Sequence, residues 1–147
     1  MKSELDKENY QKWLVDKCIY KGSTLTIELV CGVTSDEKQD LDLGDGIEIK
    51  GVYAVEPKGE RFRVYFDDVV LLQAFDECAH KTTDHQFRDE GVVGQYKSST
   101  LLDYVRNETL LMDIMPGELM HFEVMTGDDW FHVITREAPV VSAVVNA

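Results

Sequence analysis

Short runs in which apolar and polar residues alternate, each interrupted by a tight turn signal, constrain this chain more than any other feature. The signals are Lys21-Gly22, Gly44-Asp45-Gly46 and Gly127-Asp128. Alternation at period two sends successive side chains to opposite faces of a strand, and a glycine turn folds the strand back on itself. The spacing therefore predicts antiparallel hairpins over residues 13–33, 36–51 and 118–135.

Each hairpin implies a register. With Lys21-Gly22 as the loop, Ile19 opposes Thr24, Cys18 opposes Leu25 and Asp16 opposes Ile27. Leu14, Cys18, Tyr20, Leu25, Ile27, Leu29 and Cys31 then share a core face, with Asp16 as a polar intruder. In the second hairpin Leu43 opposes Ile47, Leu41 opposes Ile49, Asp40 opposes Lys50 and Asp42 opposes Glu48. Like charges facing each other belong on a solvated face. In the third, Phe122 faces Val133 and Val124 faces Phe131 on the buried side. The other, half-wet side pairs His121 with Ile134, Glu123 with His132 and Met125 with Trp130.

The remaining segments fill in the architecture. Strands flank a turn at Pro57-Lys58-Gly59, and Phe62, Val64 and Phe66 share one face. Asp67-Asp68 marks a break before the run "VVLLQAF", and "VVGQY" makes a short strand. Ser3, three residues before Asp6, suggests a short helical start. The polar stretch 76–91 reads as a loop. "STLLDYVRNETL" predicts one short helix near residues 100–108, and Pro116-Gly117 terminates the next run, "TLLMDIM". The apolar tail "APVVSAVVNA" adds a last strand. The expectation is one α+β domain over residues 1–147, built mainly of antiparallel hairpins that form a curved sheet or small barrel closed by a helix.

Charge narrows the partners. Asp and Glu number 28 against 15 Lys and Arg, giving a net charge of −13. Such a field repels phosphate backbones and anionic bilayers, so nucleic acid and membrane are poor partners. A basic protein is a natural one, because charge complementarity speeds encounter and suppresses wrong pairings. The start, "MKSELDKENYQKW", lacks an apolar signal core, which places the chain in the cytoplasm as an expectation. Three scattered cysteines, Cys18, Cys31 and Cys78, do not form a disulfide framework.

Motifs for chemistry are sparse. A calcium loop starting at Asp40 would need an oxygen ligand, glycine and glutamate where Gly44, Asp45 and Gly51 stand, so the acidic hairpin holds no calcium. Cys78, His80, Asp84 and His85 are zinc-ligand types, but one local cluster without a second pair is a weak signal. His121, Glu123 and His132 offer general acid–base groups, since a carboxylate beside an imidazole raises its pKa. Neither a nucleophile elbow nor a phosphate loop is present.

The leading expectation is a non-catalytic acidic protein that binds a basic partner through Asp40, Asp42, Asp45 and Glu48, without metal or cofactor. Bacterial immunity proteins, which neutralise basic toxin nucleases, share that physical character. The alternatives are a small-molecule-binding β-barrel and a small enzyme using His121, Glu123 and His132.

Overall fold

The computed structural model describes residues 2–79 and 87–145. Within them, ten strands and two α-helices run in chain order, besides three short 3-10 turns: β1 (Trp13–Lys21), β2 (Thr24–Cys31), β3 (Val33–Asp42), β4 (Glu48–Glu56), β5 (Arg61–Phe66), β6 (Val69–Asp76), β7 (Val93–Tyr96), α1 (Thr100–Glu108), α2 (Leu111–Ile114), β8 (Met120–Met125), β9 (Asp129–Thr135) and β10 (Val140–Ala143). Each pairing between these strands is antiparallel, as expected for an α+β chain of hairpins.

The barrel is not what forms. Strands β1-β2-β5-β10 make one sheet, β6-β9-β8-β7 a second, and β3-β4 stand as a separate two-stranded ladder. The two larger sheets pack face to face instead of closing on themselves. Leu25, Ile27, Leu29, Phe62, Val64 and Phe66 from the first meet Val93, Phe122, Val124, Phe131 and Val133 from the second. Each such fully buried side chain contributes roughly 1.5–3 kcal/mol by leaving water. The chain crosses between the sheets at Asp67-Asp68, where Asp68 takes a φ of 51°.

A third layer covers the back of the second sheet. Leu102 and Val105 of α1 pack with Leu119 and Ile134, flanked by Leu71, Leu101, Leu111 and Met112. Ser99 starts α1 by accepting a hydrogen bond from the Leu102 amide at 3.0 Å. The cap thus lies one residue before Thr100, the first residue of the helix. This layer turns the supposedly half-wet face of the last hairpin into a second interior.

One hairpin turn differs from expectation. The first hairpin pairs Lys21 with Thr24 and Tyr20 with Leu25, so its loop is Gly22-Ser23, with Gly22 at φ 64°. A bulge between Val15 and Lys17 then shifts the strand and removes Asp16 from the core face. Trp13 takes the place given to Leu14, and Asp16 turns out to Arg61 at 2.5 Å. Pro57-Lys58-Gly59 separates two strands as expected, and those strands pair elsewhere: β4 with β3, and β5 with β2 and β10. β3 carries on where β2 ends and β4 leads into β5, so the ladder continues the β2–β5 ribbon outward as an arm.

Candidate functional site

Two places hold the predicted residues, and they differ in character. The first is the β3–β4 arm. No residue from 33 to 56 is buried. Its strands pair Leu41 with Ile49 and Asp42 with Glu48, the expected register. Near the base of the tip the register slips between Gln39 and Leu41, so Asp40 does not face Lys50 squarely. Asp40 Oδ1 instead accepts the Gly51 amide at 3.0 Å, in a bulge where Gly51 has a φ of 67°. Asp42 Oδ1 accepts the Gly44 amide at 2.8 Å and so shapes the turn. Asp45 sits in that turn at φ 52°, and Glu48 lies 3.9 Å from Lys50. All four carboxylates are exposed.

Alternation then sorts the tip into two faces. Asp42 and Glu48 point one way; Leu41, Leu43, Ile47 and Ile49 point the other. Leu43 and Ile47 are 60% and 57% exposed, so no described part of the chain covers this aliphatic face. Between residues 33 and 56 the arm carries seven carboxylates (Asp36, Glu37, Asp40, Asp42, Asp45, Glu48, Glu56) against Lys38 and Lys50.

The second place is the α1-side face of the β6–β9 sheet. Glu123 lies opposite His132, as the register predicts, but all three polar residues are interior: Glu123 0%, His121 2% and His132 8% exposed. Glu123 Oε1 accepts a hydrogen bond from Arg88 Nη1 at 2.5 Å, and its other oxygen accepts from Tyr96 Oη at 3.2 Å. That oxygen also lies 3.1 Å from His132 Nε2. His132 Nδ1 is 2.9 Å from His121 Nε2, and His121 Nδ1 is 2.7 Å from Ser99 Oγ. Tyr96 stacks on the His121 ring at 4.3 Å between centroids.

Arg88 is the charge that the hairpin itself lacks, and it comes from the segment that reads only as a loop. It bridges Tyr96 beside β7, and Nη2 donates to the Gly91 carbonyl at 2.6 Å. Gly94 makes room for it: a Cβ there would meet the guanidinium at 1.8 Å. Burial, then the neighbouring His132 and Arg88, push the His121 pKa down from 6.5 to about 3.

No family model, curated protein or solved structure matches this chain. Geometry alone therefore carries the functional reading. His80, Asp84 and His85 lie outside the described residues, and Cys78 is exposed. Among the described residues no group of three or more His, Cys, Asp or Glu side chains is placed to hold a metal ion. No helix among them is long and apolar enough to cross a membrane. Arg88, Tyr96 and Ser99 are the site residues that sequence reasoning missed. The only signal for Ser99 is its place ahead of a helix; for Arg88 there is none.

Proposed function

We propose that this chain is a binding protein whose β3–β4 arm docks onto a basic protein partner. One observation carries the reading: an arm with no buried residue presents an aliphatic face and an acidic face at the same tip. Interfaces combine an apolar centre, which supplies affinity, with charges that steer encounter and set register. Leu43, Ile47 and Ile49 fit the first task; Asp40, Asp42, Asp45 and Glu48 fit the second. A second copy of the chain is a poor occupant, since two molecules at −13 each repel. The specific form of the proposal is an inhibitor of a basic toxin or nuclease, the role bacterial immunity proteins fill. A ligand-binding barrel is less well supported, because the sheets do not close. A groove of about 790 Å³ is a surface feature lined in part by Lys2, Glu4, Lys7 and Glu60 rather than an apolar interior.

The test uses the intact chain and a variant carrying Leu43→Ser and Ile47→Ser as baits in extracts of the source cells, at low and high salt. A basic protein held by the intact chain and lost from the variant supports the reading. Capture indifferent to the two substitutions, or capture of an acidic protein, would overturn it.

A further inference from the structure

The buried polar chain ends at a hydroxyl near the surface. Ser99 is only half-buried and lies at the rim of a pocket of about 160 Å³, lined also by Phe87, Ser98, Thr100 and Asp103. We propose that Ser99 is a nucleophile for acyl transfer from small neutral esters, activated through His121 and His132. The site uses no residue of the arm and stands independently of the binding role.

Proton placement supports the assignment. Both Glu123 oxygens accept, from Arg88 and from Tyr96, so His132 Nε2 carries the proton facing Oε2. Neutral His132 then has a lone pair on Nδ1, which His121 Nε2–H fills. That tautomer leaves the His121 Nδ1 lone pair for the Ser99 hydroxyl proton, while Ser99 Oγ accepts the Leu102 amide. A hydroxyl aimed at an imidazole that a further group orients is the geometry of an activated serine. Arg88 and Tyr96 fix the far end by holding Glu123.

The reaction balances along this path. Ser99 Oγ bonds to the ester carbonyl carbon as its proton passes to His121 Nδ1. His121 gives its Nε2 proton to His132 Nδ1, and the imidazolium forms beside Glu123. Because burial disfavours charge on His121, that ring passes the proton on rather than storing it. The ester C–O bond breaks, and the departing alkoxide takes the proton back along the same route. Water then attacks acyl-Ser99 by the same relay and releases the carboxylic acid. Phe87 supplies an apolar wall, and Asp103 disfavours anionic substrates.

The folded protein is incubated with excess p-nitrophenyl acetate or a fluorophosphonate, digested, and mapped by mass spectrometry. The expected result is one adduct, on Ser99 and not on exposed Ser98. Its formation should slow as pH falls, because a proton on the histidine pair reverses the chain and removes the acceptor. His121→Gln should slow it at least tenfold, with folding checked by circular dichroism; if that variant does not fold, the site and pH dependence in the unaltered protein decide. No adduct on Ser99, equal labelling of Ser98, or labelling independent of pH would overturn the proposal.

Discussion

At the scale of single residues, the buried pair of Arg88 and Glu123 is costly to break from one side. Replacing Glu123 with Gln leaves a buried guanidinium without its counter-charge, and such losses cost about 3–5 kcal/mol. Urea unfolding should show that drop. Gly94→Ala should fall in the same range, because its Cβ displaces the guanidinium from Glu123; a change under about 0.5 kcal/mol would show the pair is not held there. His121 links the cluster to pH. Its pKa is lower in the fold, about 3 against an ordinary 6.5, so the unfolded chain binds the additional proton between those values. That contribution is complete above the unfolded value and is lost as pH falls toward the folded one. Urea midpoints should therefore decline from about pH 7 to about pH 5, and His121→Gln should flatten the decline. The opposition of Glu123 and His132 is legible in the sequence because large side chains on both faces and a short loop admit one register. Arg88 is not: it reaches Glu123 across 35 residues, and no local period encodes such a contact.

At the scale of elements, the arm shows what alternation does and does not encode. Period two states which residues share a face; it does not state that a second layer lies against that face. Leu43, Ile47 and Ile49 alternate with polar residues yet are left in solvent, whereas the His121 face reads as half-wet and is covered by α1. The difference lies in long-range packing, which a hairpin's own sequence cannot report. Because no residue of the arm is fully buried, its strands rest on cross-strand pairs worth roughly 0.2–1 kcal/mol each and on the β2–β5 ladder they continue. Replacing residues 33–56 with a short glycine-containing turn should leave the unfolding free energy of the body within about 1 kcal/mol. A larger loss, measured by urea titration, would mean the arm braces the body.

At the scale of the whole molecule, the fold rests on two interiors and the surface on charge. The three cysteines are free, so chelator together with reductant should leave the melting temperature unchanged; a drop of several degrees would reveal a metal or crosslink that matters. The net charge of −13 acts on encounter more than on fold, and its reach shrinks with salt, to about 10 Å at 0.1 M. Stopped-flow association with the captured partner shows whether the arm's carboxylates steer a basic protein. Changing Asp40, Asp42, Asp45 and Glu48 together to Asn or Gln should slow association several-fold at low salt and little at high salt, with stability unchanged or raised because Asp42 and Glu48 no longer repel. Association at low salt as fast as that of the unaltered chain would mean that these carboxylates do not steer the partner.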